Sequence, residues 1–199
     1  LSTNKKRIDV AVFQQAKQGN FCCGDSFFTI EKDSKFICVL ADGLGSGKMA
    51  KESSAAVVEV VQHNPLASME EIIANCNNKL MDKRGAVIGI LMIDLDTSTY
   101  ALTSIGNIGI VSISPNGQQV KSVPTYGYLS GGKHPFHITN GDIEPGQVFL
   151  MYSDGVKDKE LLKQTKYLGN IDHIVKYYEG IHKQTDEKDD TTLIVLKYK

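Results

Sequence analysis

Phe36-Ile37-Cys38-Val39-Leu40-Ala41-Asp42-Gly43 is an unbroken apolar run that ends in Asp-Gly. Val148-Phe149-Leu150-Met151-Tyr152-Ser153-Asp154-Gly155 repeats the design far downstream. Apolar runs of this length, bounded by turn residues, read as strands buried on both faces. The carboxylate that ends each strand is then held rigidly at a sheet rim. The glycine after it lets the chain turn sharply and bring its carbonyl close to a ligand.

Working outward, further period-2 and apolar runs predict strands at 8–13, 27–31, 35–41, 86–94, 99–105, 108–114, 118–123, 147–153 and 192–197. Helices are predicted over 49–63, after Ser68, from about Val156 and from about Ile171. Ser68-x-x-Glu71 is a capping-box pattern, followed by the helical stripe Ile72, Ile73, Cys76 and Leu80. Short turns at 94–99 and 114–118, the second on Pro115, Asn116 and Gly117, join strands as antiparallel hairpins. The expected architecture is α+β: two antiparallel sheets packed together, with helices on the outside. The glycine-rich segment 124–137 reads as a mobile flap.

Composition sets the bounds. The 199 residues carry 22 Lys and Arg against 23 Asp and Glu, a formal charge of −1, with 41% hydrophobic residues. That balance suits one globular domain and argues against a nuclease or other generic nucleic-acid binder, which needs a basic field. No apolar stretch is long enough to span a membrane. The basic run Lys5-Lys6-Arg7 is not followed by the apolar segment of a signal peptide. Cys22, Cys23, Cys38 and Cys76 have neither disulfide-framework nor zinc spacing, so a cytoplasmic protein with reduced thiols is expected.

Two more acidic spots adjoin strands: Gly24-Asp25-Ser26 and Asp189-Asp190. If the last strand runs antiparallel to those ending in Asp42 and Asp154, all four carboxylates meet at one rim. Such a cluster repels itself unless it shares protons or holds a cation. Oxygen-only ligation by carboxylates and a backbone carbonyl suits Mg²⁺ or Mn²⁺. One Asp-Gly alone is usually a turn; two after matching strands, with two further acidic sites, favour a metal centre. The loop 43–49 misses both the P-loop and the dinucleotide fingerprint by one position, which disfavours a nucleotide-binding protein.

Ala41-Asp42-Gly43-Leu44-Gly45-Ser46-Gly47, Ser153-Asp154-Gly155 and Asp189-Asp190-Thr191-Thr192, with Gly24-Asp25-Ser26 upstream, resemble the metal-dependent type 2C serine/threonine protein phosphatases. The resemblance lies with the SpoIIE-like bacterial branch and covers nearly the whole chain. Glu52-Ser53-Ser54-Ala55-Ala56, Lys83-Arg84-Gly85-Ala86 and Gly127-Tyr128-Leu129-Ser130-Gly131 resemble, more narrowly, its short stand-alone stressosome phosphatases.

The resemblance implies a four-layer α-β-β-α sandwich, a single phosphatase domain over 1–199, and Mn²⁺ or Mg²⁺ as cofactor, two ions in all. Asp42 would bridge the ions, with the Gly43 carbonyl as a further ligand. Asp154 and Asp189 would hold the first ion, Asp189 being preferred to Asp190 as the first aspartate of the motif. Asp25 would serve the second ion, directly or through water. Catalysis, resting on Asp42 and Asp154, would be hydrolysis of phosphoserine or phosphothreonine by a metal-activated water. The implied partners are phosphorylated STAS-domain stressosome proteins, with no nucleic acid and no membrane, and the implied role is negative regulation of the general stress (sigma-B) response. The chain departs from larger family members in having Gly24 where they carry an acidic residue. It also lacks their upstream phosphate-binding arginine, Lys17 standing in that region. A phosphoprotein-binding module of weak activity is the alternative; 124–137 and the Lys48 region are the candidate substrate contacts.

Overall fold

Side-chain alternation sorts the buried strands into layers. The computed structural model describes residues 6–157, 161, 169–182 and 189–199. In chain order the elements are β1 (Ile8–Gln15), β2 (Asp25–Lys32), β3 (Lys35–Gly43), α1 (Gly47–His63), α2 (Met69–Lys79), β4 (Ala86–Asp94), β5 (Thr99–Ile105), β6 (Gly109–Ile113), β7 (Gln119–Lys121), β8 (Thr139–Asp142), β9 (Val148–Tyr152), α3 (Ile171–His182) and β10 (Thr191–Tyr198). One sheet has the order β1-β10-β9-β6-β7 and the other β2-β3-β4-β5-β8. Every pairing between these strands is antiparallel.

In β3, Phe36, Cys38 and Leu40 face the other sheet, where they meet Phe149, Met151, Ile194 and Leu196. Ile37, Val39 and Ala41 face α1 and α2, against Val57, Val61, Ile72 and Ile73. Leu150, Leu193 and Val195 point outward onto Ile174 and Tyr178 of α3. Successive strand residues feed opposite faces, so a strand between two apolar layers must be apolar throughout. The result is the expected sandwich of helices, two sheets and helix.

The hairpins and the first two helices lie where the sequence places them. Glu71 N donates to Ser68 Oγ at 3.2 Å and Ser68 N to Glu71 Oε2 at 3.0 Å, completing the capping box. Two boundaries differ in a way that matters: β2 begins at Asp25 and β3 runs through Asp42-Gly43. Both carboxylates therefore sit within the ladder, because pairing continues for as long as a partner strand is present. β8, an exposed edge strand (Thr-Asn-Gly-Asp), has no apolar alternation to announce it and is an addition to the predicted strands. The predicted helix from Val156 falls largely outside the described residues.

The segment 124–137 is tied down rather than flap-like. Leu129 is fully buried and exchanges backbone hydrogen bonds with Ala86 at 2.9 and 3.0 Å. Asn77 Oδ1 accepts from Ser130 N and Gly131 N, its Nδ2 donates to Gly132 O, and Thr103 Oγ1 donates to His137 O. Among the described residues no helix is long and apolar enough to cross a membrane. All four cysteines are free thiols.

Candidate metal centre

Asp25 and Asp42 are register partners in the β2–β3 ladder. Asp154 follows β9, and Asp189-Asp190 precede β10, which pairs antiparallel with β9. All the predicted carboxylates thus gather at one end of the sandwich, drawn from both sheets. A cleft of about 490 Å³ opens there, lined by Asp42, Gly43, Asp154 and Asp189 with Asn107, Tyr126 and Tyr128. A larger cavity of about 680 Å³ sits by the β2–β3 hairpin, around Lys32, Lys35 and Met69, at the other end of the sheet.

Asp25 lies behind Asp42 and does not line the cleft; its residue is fully buried. Its Oδ2 accepts from Ser153 Oγ at 2.7 Å and Thr192 Oγ1 at 2.6 Å, and Thr192 N donates to Ser153 Oγ at 2.9 Å. This carboxylate therefore buckles the two sheets together. Its other oxygen, Oδ1, is buried and accepts from no hydroxyl or N–H group; the Asp42 carboxyl is close enough to hydrogen-bond to Asp25 when protonated. Lys51 Nζ donates to the Asp25 carbonyl at 2.8 Å, fixing the backbone from α1.

The glycines that follow Asp42 and Asp154 do more than turn the chain: Gly155 sits in the expected turn, closed by Val156 N donating to Ser153 O at 3.0 Å, whereas Gly43 lies within β3. Gly43 and Gly155 do not adopt positive φ. A Cβ on Gly43 would stand 1.8 Å from Ala50 O, and one on Gly155 would stand 2.4 Å from Asp190 O. Each glycine admits a passing backbone, α1 in one case and the approach to β10 in the other, which clamps the adjoining aspartate.

Electrostatics describe an anionic site whose carboxylates are not directly paired with a cation. Among the described residues none of Asp25, Asp42, Asp154 and Asp189 forms an ion pair. Burial, then the charges of Asp25, Asp154 and Asp189, push the Asp42 carboxyl up to about 8. Burial also raises Asp25, against the two hydroxyl donors, and raises Asp154 together with the Asp189 charge. No three acidic, His or Cys side chains among the described residues already converge tightly enough to hold an ion. The buried Asp25 Oδ1 with no hydroxyl or N–H donor, the all-oxygen donors and the mutual repulsion nevertheless fit a hard divalent cation.

Asp190, by contrast, is buried and engaged: its Oδ1 accepts from Lys17 N at 2.8 Å, and its Oδ2 fills the space a Cβ on Gly24 would need. Asp189 is exposed and faces the cleft. Lys48, a candidate substrate contact, is turned to Glu52 at 3.8 Å. Three functional side chains escape a reading of the sequence alone. Ser153 and Thr192 stand inside the quoted motifs, and Asn107, whose Nδ2 donates to Asp154 Oδ2 at 2.7 Å, has no local signal.

The model of the Stage II sporulation protein E (SpoIIE) family matches residues 32–199. The chain is also 35% identical over 193 residues to the phosphoserine phosphatase RsbX of Bacillus subtilis (strain 168), covering 96% of this chain and 94% of RsbX. The chain belongs to the SpoIIE family. A crystal structure of RsbX in complex with magnesium superimposes with a TM-score of 0.90 at 33% identity, covering 98% and 97% of the two chains. The catalytic domain of the serine/threonine phosphatase PstP, in complex with two manganese ions, shares the fold at a TM-score of 0.77 and 15% identity, over 96% and 97% of the chains. This SpoIIE-family member therefore has the PP2C-like arrangement of two antiparallel sheets flanked by helices.

Proposed function

We propose that this chain is a Mn²⁺- or Mg²⁺-dependent protein serine/threonine phosphatase of the stressosome and sigma-B pathway, acting in the cytoplasm. The observation that carries the reading is the gathering of Asp25, Asp42, Asp154 and Asp189 at one end of a fold shared with RsbX. Two ions bound there would lower the pKa of a water and neutralise phosphoryl oxygens, leaving no need for a covalent phospho-enzyme.

The chain's own residues divide the remaining tasks. Asp42, the Gly43 carbonyl, Asp154 and Asp189 would hold the ions from the cleft wall. Asp25, locked by Ser153 and Thr192, supports Asp42 from behind and offers its Oδ1 to the second ion. Asn107 orients Asp154. Such outer partners fix ligand direction. The substrates would be phosphorylated STAS-domain proteins, and their dephosphorylation would restrain the stress response.

The test is phosphate release from a serine-phosphorylated STAS-domain protein by the purified chain. Release with Mn²⁺ that stops on chelation supports the reading. Binding of the phosphoprotein without turnover would replace it with the binding-module alternative.

A further inference from the structure

Arg84 stands in the turn between α2 and β4, within Lys83-Arg84-Gly85-Ala86, and the metal reading leaves it without a task. Its guanidinium rests on Gly45: a Cβ there would lie 2.6 Å from Nη1 and 3.7 Å from Cζ. Gly45 lines the carboxylate cleft and has φ +103°, a conformation that favours glycine. The turn is held against this loop on two sides. Leu44 N donates to Gly85 O at 3.0 Å, and a Cβ on Gly85 would lie 2.9 Å from the ring of Tyr128, which also lines the cleft.

The backbone of Arg84 is thus placed by its neighbours while its charge stays unused. The side chain is exposed and makes no hydrogen bond or ion pair among the described residues. Of the cations on α1, Lys51 donates to the carbonyl of Asp25, and Lys48 lies out on the surface, 3.8 Å from Glu52. A guanidinium kept at the rim of an acidic cleft, yet paired to none of its carboxylates, remains available to an anion that enters. Its planar fork matches two phosphoryl oxygens, which a lysine ammonium does not.

We propose that Arg84 binds the phosphoryl group of the phosphoserine substrate, reaching it from the α2–β4 turn. This rests on the phosphatase reading, and the measurement separates the two. Inorganic phosphate binding to the Mn²⁺-loaded chain is followed by calorimetry, alongside kcat and KM on a phosphoserine peptide and Mn²⁺ affinity. Arg84→Ala is expected to weaken phosphate binding and raise KM by about tenfold, the loss of one charge-assisted contact, with kcat less affected. Mn²⁺ affinity stays unchanged, and Arg84→Lys recovers part of the loss. Unaltered phosphate affinity and KM in Arg84→Ala overturn the assignment, as does a fall in Mn²⁺ affinity, which would make the residue structural. Phosphate binding that depends on Arg84 in a chain without turnover supports Arg84 and refutes the phosphatase reading. Absence of phosphate binding by the unsubstituted chain overturns the assignment outright.

Discussion

Asp25 and Asp42 face each other directly across the β2–β3 ladder, one sealed behind the other at the mouth of the cleft. Like charges directly opposite in paired strands destabilise a sheet. The pair, with Asp25 Oδ1 accepting from no hydroxyl or N–H, fits a cation as the missing partner.

Asp42→Asn should therefore abolish metal-dependent phosphate release, with a loss of at least about a hundredfold, since even outer-shell changes cost up to that much. Cys22→Ala and Cys23→Ala should retain activity. Burial, then the charge of Asp25, pushes the Cys23 thiol up to about 12, so it cannot serve as a thiolate nucleophile. Phosphate release from a phosphoserine protein checks all three variants; full activity in Asp42→Asn with metal present would sink the mechanism.

Ser153→Ala and Thr192→Val each remove one donor from a buried carboxylate. Each should cost about 1–3 kcal/mol of stability and weaken Mn²⁺ binding about tenfold. Because both donors meet on Asp25 Oδ2, the double variant should be non-additive. Denaturant titration and calorimetry measure the two effects separately.

The pH dependence has a definite sign. Folding raises the Asp42 carboxyl from 3.8 to about 8, so between those values the native state binds more protons than the unfolded chain. Stability from this group is complete below its unfolded pKa and is lost as pH climbs through about 8. The metal-free protein should melt at progressively lower temperature as pH rises through this window. Saturating Mn²⁺ should blunt or reverse the trend, and metal uptake should release protons. Melting curves in chelator and in Mn²⁺ decide the point.

Gly43→Ala and Gly155→Ala should destabilise the fold by about 3 kcal/mol or more, because each methyl would collide with backbone that cannot swing aside. Gly132→Ala is the control: its position is open and its φ is not positive. Thermal unfolding of the three variants checks the contrast.

Much of the fold is legible in the sequence, for identifiable reasons. The run 36–41 is apolar at every position because two layers press on it, so both the strand and its central place can be read. Ser68 and Glu71 announce a helix start through local chemistry alone. β8 cannot be read, because backbone pairing to β5 defines it and its four residues carry no apolar pattern. The tethering of 124–137 is equally hidden, since its partners Ala86, Asn77 and Thr103 lie on three separate elements.

By itself the sequence determined every strand but β8, the α+β class and the aspartates that meet, because burial periodicity and turn chemistry are local. Only the tertiary structure decided the division of labour among those aspartates. It placed Asp25 behind Asp42, turned Asp189 to the cleft and Asp190 to the amide of Lys17, and set Asn107 on Asp154. It also revealed that Gly43 and Gly155 admit close backbone approach, Gly155 while also forming the turn expected of it, and that Arg84 crosses from another element to lie on Gly45. Those relationships depend on which backbones pass within a few ångströms of one another, a property of packing that no single segment encodes.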